Sequence, residues 1–203
     1  AESQAPGLGM TPAAKVQIPP ATPDYTPYAS KIKDAEPNWV FSWAPWVTEV
    51  KTFEALRKVG WNGRYIAAAL NPAEDELARV RDEGLHGLSV NAMFLENMPV
   101  HQQIRDAAKG ASLTYPVTQM AEGWVAGMII EQALKAVAWP PTPEKVLTAM
   151  STLKVDTKGL RGGPIEWNKS NHFRTKQYYR IYRWDAGKKA VTRVQDWTVV
   201  DVE

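Results

Sequence analysis

The chain has 203 residues, of which 44% are apolar and 23% are charged, and its formal net charge is +2. This composition is ordinary for a globular protein, and without a Lys/Arg stripe interleaved with aromatics it argues against nucleic acid as a partner. The chain has no cysteine, which excludes disulfides, thiol nucleophiles and cysteine-ligated metals and is compatible with an oxidising compartment.

The first elements of the chain alternate between strand and helix patterns. Lys15–Ile18 predicts a short strand, and Asp24 is a candidate N-cap for a helix that ends before Pro37. Trp39–Ser42 is a compact apolar run that is too short for a helix, so it predicts a buried strand.

A longer amphipathic helix is predicted directly after this strand. Pro45 forbids continuation of the strand ladder, and Gly60 is placed to end the helix. Apolar residues recur between them at helical spacing, namely Trp46, Val47, Val50, Phe53, Leu56 and Val59.

The remainder of the chain continues the alternation and then changes character. Strands are predicted at 64–67 and 86–94, with a helix at 73–81 between them, and three helices follow at 100–109, 117–138 and 142–153. The tail predicts strands at 165–167, 176–184 and 190–200. Alternation up to residue 94 favours a parallel sheet covered by helices, with the last strands as an antiparallel edge or a crossover.

The turn between Trp39–Ser42 and the following helix is the best candidate for a ligand site. In α/β sheets, ligands bind outside the carboxyl ends of the strands, where such turns lie. This turn carries Trp43 and Trp46 on either side of Pro45. Two large flat side chains there favour a small apolar or aromatic ligand, and the alternative is that one or both pack in the core.

Other chemistry has little support in the sequence. His86, His101 and His172 form no metal-binding spacing, so neither a metal nor a cofactor is expected. There is no G-x-S-x-G nucleophile elbow. The glycine-rich stretch 159–163 does not match a phosphate-binding loop and is interpreted as a turn.

Six stretches carry a further signal through their order and spacing. They are Asp24–Lys33, Pro37–Phe41, Phe53–Gly60, Gly84–Phe94, Tyr115–Leu134 and Gly159–Trp167. Each motif alone is weak, but together they resemble the second half of a periplasmic substrate-binding protein of an ABC importer. The subgroup is the type I fold of the branched-chain amino-acid-binding (leucine/isoleucine/valine) family.

The resemblance implies an α/β fold with two lobes, of which the N-terminal one is incomplete in this chain. Residues 1–85 would form part of the C-terminal lobe, starting within an element. Residues 86–170 would cross into the N-terminal lobe, and residues 171–203 would return as strands to the C-terminal lobe. The chain is accordingly expected to lack the N-terminal half of the same protein, which would be one of its partners.

The resemblance also implies which residues contact the ligand. They are Trp43, Pro45 and Trp46 on one turn, Ala69 and Asn71 on the next turn, and Phe94 and Tyr115 toward the hinge. Core packing is an alternative role for Phe94, and capping of the following helix is an alternative for Asn71.

The second turn bears on the class of ligand. Amino-acid-binding members carry a carboxylate there that pairs with the ammonium of the ligand, whereas this chain has alanine at 67, 68 and 69. A buried ammonium without a partner is costly. The sequence therefore favours an apolar or aromatic organic acid, unless an acid from elsewhere pairs with the ammonium of an amino acid.

The implied function is a solute receptor that closes around a small molecule by a hinge and delivers it to an ABC permease. Such a receptor is not an enzyme, and its place is periplasmic or extracellular, with a lipid anchor as one option in a full-length form. A branched-chain amino acid or an amide is the second ligand class. A ligand-sensing domain of the same fold, or an enzyme with a perturbed titratable group in its cleft, are the other readings.

Overall fold

A computed structural model of the chain describes residues 5–19, 21–68, 73–170 and 173–202. It separates into two compact units, Ala1–Leu88 with Arg183–Ala190 (unit 1) and Ser89–Tyr182 with Val191–Glu203 (unit 2). The assignment of residues 1–85, 86–170 and 171–203 to two lobes stays a prediction.

The elements follow the predicted order. The helices are α1 Thr26–Asp34, α2 Trp46–Lys58, α3 Ala73–Val80, α4 Pro99–Gly110, α5 Ala121–Lys135 and α6 Pro143–Met150. The strands are β1 Trp39–Ser42, β2 Arg64–Ala67, β3 Leu85–Ser89, β4 Lys154–Val155, β5 Ile165–Glu166, β6 Lys176–Asp185 and β7 Ala190–Asp201. Short 3₁₀ turns occur at Pro6–Leu8, Phe94–Glu96 and Val117–Gln119. None of the described helices is both long enough and apolar enough to cross a membrane.

Unit 1 is built on parallel strands, which confirms the prediction from the alternating pattern. β1 pairs with β2 from Trp39 opposite Arg64 to Ser42 opposite Ala67. β2 pairs with β3 in the same direction. Because the strands are parallel and in register, the carboxyl ends of β1 and β2 lie side by side.

Helix α2 forms where the sequence predicted it, and its inward side includes Val50, Phe53 and Leu56 from the predicted apolar series. It ends before Gly60, whose φ of +86° is a left-handed conformation that suits glycine. Val47 of the same series is exposed, while the polar residues Thr48, Glu49 and Thr52 are buried with Phe53. The inward side of α2 therefore combines polar and apolar side chains.

Arg57 secures the end of α2 to the segment before β3. Its guanidinium donates to both carboxylate oxygens of Asp82 at 2.8 and 3.0 Å and to the carbonyl oxygens of Trp61 and Gly63. The same group lies over the ring of Phe53, 4.6 Å from its centroid. These bonds hold the pKa of the Asp82 carboxyl below its ordinary value.

Two predicted strands differ from the structure. Lys15–Ile18 belongs to neither sheet, because Val16–Ile18 faces β1 across a groove and is not paired with it. The strand predicted at 86–94 ends at Ser89, where the hydroxyl donates to the carbonyl oxygen of Asn91 and accepts its amide. This tight turn takes the backbone away from the ladder.

Unit 2 has an apolar core formed by its helices and the β4–β5 pair. Its buried members are Phe94, Val100, Ile104, Ala121, Val125, Val155, Leu160 and Ile165, with Trp124 and Trp167 packed against them.

The β6–β7 segment of this unit is secured by Arg180, which pairs with Glu96 at 2.6 Å and with Asp196 at 2.8 Å.

His101 lies in this core as a neutral ring. It stacks on Phe94 with 4.5 Å between ring centroids. Its Nδ1 accepts the amide of Met98 at 3.2 Å, so the proton is on Nε2, which donates to the carbonyl oxygen of Ala92 at 3.2 Å. Burial lowers the pKa of His101 below its ordinary value.

This arrangement predicts a loss of stability in mild acid. The folded-state pKa of His101 is below the unfolded value of about 6.5, so the unfolded state binds the proton first and the free energy of unfolding falls as pH drops below that value. Denaturant unfolding at pH 7.5 and 5.5 should show a smaller loss for His101→Gln than for the unchanged chain. Equal losses of unfolding free energy in the two proteins would contradict a neutral buried ring at position 101. His86 is present in both proteins, so it does not affect the difference between their losses.

The core of unit 1 yields a second stability prediction. Leu56 is fully buried on α2, whereas Leu8 is exposed in the same unit. Leu56→Ala should lower the free energy of unfolding in urea by about 2–5 kcal/mol, from lost burial and the cavity left behind. The matched change Leu8→Ala should stay within about 0.5 kcal/mol, and comparable losses from the two variants would show that α2 is not packed as described.

Candidate functional site

The candidate site lies at the carboxyl ends of β1 and β2 in unit 1. Ser42 and Ala67, the last residues of these strands, are register partners. The turn that follows β1 presents Trp43, which is 72% exposed, and Trp46, which is 38% exposed. The sequence placed the two tryptophans and Pro45 on one turn, and the structure shows that this turn exposes both indole rings.

Pro45 explains how this turn starts the helix. Its φ of −51° and ψ of 138° place it outside the helix as the N-cap of α2. Its carbonyl oxygen accepts the amides of Thr48 and Glu49 at 2.8 and 3.1 Å. In the described part of the chain no side chain caps α2, and the positive end of the helix dipole lies beside Trp46, with the buried Glu49 as the acidic side chain of the first turn.

Glu49 lies beneath the turn with its side chain fully buried. Its Oε1 accepts the amide of Ala44 at 3.4 Å and the amide of Ala68 at 3.2 Å. Ala44 belongs to the turn after β1, and Ala68 is the first residue after β2. One carboxylate oxygen therefore joins the two chain segments that form the site.

Behind the turn lies a buried tyrosine. Tyr65 of β2 is buried beside the side chains of Ser42 and Thr52. Burial raises the pKa of its hydroxyl, and the charge of Glu49 adds to the rise. Tyr65 is thus a neutral group that supports the site from the interior of unit 1.

A groove of about 510 Å³ adjoins the site. Its walls include residues 16–19, Ile32 and the β1 residues Val40, Phe41 and Ser42, together with Trp43 and Ala44 of the turn. Thr48, Thr52 and Tyr65, which are buried beneath the turn, also line it. We place the candidate site at the turn itself.

Of the other predicted site residues, two belong to unit 2 and two are not described. Ala69 and Asn71 fall outside the described residues. Phe94 is in the core of unit 2 and only 4% exposed, where its ring stacks on His101. Tyr115, also in unit 2, is 73% exposed. The core position of Phe94 agrees with the alternative role given for it from the sequence, which was packing in the core.

Sequence reasoning missed Glu49, although a signal was present. Glu49 precedes Thr52 by three positions and Leu56 by seven, which places all three on one side of a helix. A carboxylate on the buried side of a helix needs polar partners, and these come from the strand ends. Within the described ranges, no group of three or more His, Asp or Glu side chains could hold a metal ion.

Comparison with solved structures identifies the fold. A substrate-binding protein of an ABC transporter from Aeropyrum pernix matches with a TM-score of 0.77 and 17% identity, over 96% of this chain and 54% of that one. A solute-binding protein from R. palustris in complex with 4-hydroxybenzoate matches with a TM-score of 0.74 and 14% identity, over 95% and 54%. A branched-chain amino acid ABC transporter protein from Thermus thermophilus with bound valine matches with a TM-score of 0.70 and 16% identity, over 97% and 55%.

These matches confirm the predicted type I periplasmic-binding-protein fold, and the chain spans about half the length of the structures it matches. No curated protein matches the chain at a significant level. The sequence profile of the family described as Periplasmic binding protein matches residues 1–189. Since that match covers most of the sequence, the chain belongs to the periplasmic binding protein family.

Proposed function

We propose that the chain contributes to a solute receptor that captures a small organic acid and delivers it to an ABC permease. The observation that carries this proposal is the exposed pair Trp43 and Trp46 at the carboxyl ends of parallel strands. The function is binding without catalysis. Family membership supports the permease as a partner and a location outside the cytoplasm.

The tryptophan pair supports an apolar or aromatic ligand body. Each exposed indole leaves apolar surface in water, where its burial would contribute about 25 cal/mol per Å². Packing of unit 1 does not use this surface, since its core is formed by other residues such as Phe53 and Leu56. Aromatic ligands stack on such rings with an added gain of about 0.5–1.5 kcal/mol.

The start of α2 supports an acidic group on the same ligand. A helix N-terminus without a side-chain cap has free amide donors and a positive dipole end, which favour a carboxylate. In α2 this end lies next to Trp46 and follows Pro45, which has no side-chain acceptor. A carboxylate there would leave the body of the ligand beside the indole rings. The R. palustris protein in complex with 4-hydroxybenzoate is an example of this ligand class on the same fold.

A branched-chain amino acid is the second candidate, and Glu49 is the observation that favours it. Its carboxylate lies against Ala68, in the segment where the alanines replace the expected acid. A negative charge beneath the turn would attract the ammonium of an amino acid. The Thermus thermophilus protein with bound valine represents this class.

A thermal-shift screen separates the two ligand classes. The sample is the full-length protein purified from its host. We expect 4-hydroxybenzoate, benzoate or aliphatic acids to raise its melting temperature, and valine and leucine to leave it unchanged. A ligand at 100 times its Kd adds about 2.7 kcal/mol to the free energy of unfolding, which corresponds to several degrees. A shift with valine or leucine alone would favour the second candidate, and no shift with either class would contradict the proposal.

Substitution of the tryptophans tests the site itself. Trp43→Ala and Trp46→Ala should each weaken the Kd of the ligand found in the screen by about tenfold or more, equivalent to about 1.4 kcal/mol. Trp139→Ala is the matched control, because Trp139 is 85% exposed in unit 2 and outside the site. Isothermal titration calorimetry measures all three, and unchanged binding by both site variants would place the ligand elsewhere.

A further inference from the structure

We propose that Glu49 is a positioning residue that fastens the tryptophan turn to the end of β2 and so sets the shape of the ligand site. The proposal rests on the function proposed above, because it concerns the same turn. It assigns to Glu49 a role through the backbone, without contact to the ligand.

The burial of Glu49 is the first step of the argument. Its side chain is fully buried on the first turn of α2, between Thr48 and Thr52, which are also buried. A carboxylate is costly in such a place unless hydrogen bonds compensate for lost water. An apolar side chain of similar size would fill the same space without that cost, so packing alone does not account for an acid at this position.

The partners of Glu49 are the second step. Its Oε1 is within 3.4 Å of the amide of Ala44 and within 3.2 Å of the amide of Ala68. The amide of Ala68 is shared with the carbonyl oxygen of Ser42 at 3.0 Å. Ala44 stands between the two tryptophans in sequence, so its backbone position determines where their rings are presented.

The Glu49 carboxylate joins the segments that follow β1 and β2 just beyond the end of the strand ladder. The ladder between β1 and β2 ends at Ser42 opposite Ala67, and beyond that point strand pairing no longer holds the chains together. Glu49 extends the connection to Ala44, two residues beyond Ser42, and to Ala68, one residue beyond Ala67. A turn held in this way presents Trp43 and Trp46 in one arrangement, which reduces the entropy lost on binding.

An isosteric pair of variants tests the role. Glu49→Gln keeps an oxygen that can accept both amides, whereas Glu49→Met keeps the volume and removes the acceptor. Glu54→Met is the control, because Glu54 lies on the same helix but pairs at the surface with Arg79. Amide hydrogen exchange at Ala44 and Ala68, and the Kd for 4-hydroxybenzoate and valine, would be measured for each protein.

We expect Glu49→Met to speed exchange at Ala44 by about tenfold and to weaken binding by a similar factor, as loss of one hydrogen bond implies. Exchange at Ala68 should change less, because Ser42 still accepts its amide. Glu49→Gln and Glu54→Met should stay within about threefold of the unchanged protein in exchange and in the Kd for 4-hydroxybenzoate, which has no ammonium for the Glu49 charge to attract. If Glu49→Gln has the exchange rate at Ala44 and the Kd of the unchanged protein, the defect of Glu49→Met is a loss of positioning and not a general loss of folding.

Two results would overturn the role of Glu49. One is unchanged exchange at Ala44 in Glu49→Met, and the other is a Gln variant as impaired as the Met variant. Failure of the unchanged protein to bind either probe would instead contradict the proposed function, while the exchange at Ala44 would still decide whether Glu49 holds the turn.

Discussion

The parallel pairing of β1 with β2 is the constraint on which the site depends. Because Ser42 and Ala67 are register partners, the segments that leave the sheet after them start side by side. Pro45 then ends the extended segment and starts α2 within three residues of the strand. The tryptophans, the open start of the helix and Ala68 are neighbours as a consequence of this pairing.

Around this edge the ordinary distribution of residues is inverted. Tryptophan is usually largely buried and glutamate almost always exposed, but here Trp43 is in water and Glu49 is in the interior. The inversion extends to the polar side chains of Thr48, Thr52 and Tyr65, which are buried beneath the turn. Neither the exposed Trp43 nor the buried Glu49 adds much to the stability of the fold. A binding site gains from both, because the tryptophan supplies contact surface and the glutamate makes the turn rigid.

Much of the fold could be predicted because its elements carry strong local signals. The apolar run at β1, the helical spacing from Trp46 and the glycine at position 60 each indicate one element, and these elements are confirmed. The burial predicted for β1 is wrong, because β1 is an edge strand on which Trp39 is 46% and Phe41 is 52% exposed. The strand predicted at 15–18 is wrong, because a strand exists only when a partner completes its ladder. The burial of Glu49 on α2 was also missed, since hydropathy does not register a carboxylate whose partners are backbone amides.

The sequence by itself determined the α/β class, the order of the elements, the family resemblance and the turn that carries the tryptophans. These features depend on local periodicity, on proline and glycine, and on motif order, which are all readable along the chain. Only the tertiary structure decided that Phe94 is in a core, that Trp43 is exposed and that Glu49 joins two strand ends. Such facts depend on which residues distant in sequence meet in space, and the hydrogen bonds of Glu49 span both 5 and 19 positions of the chain.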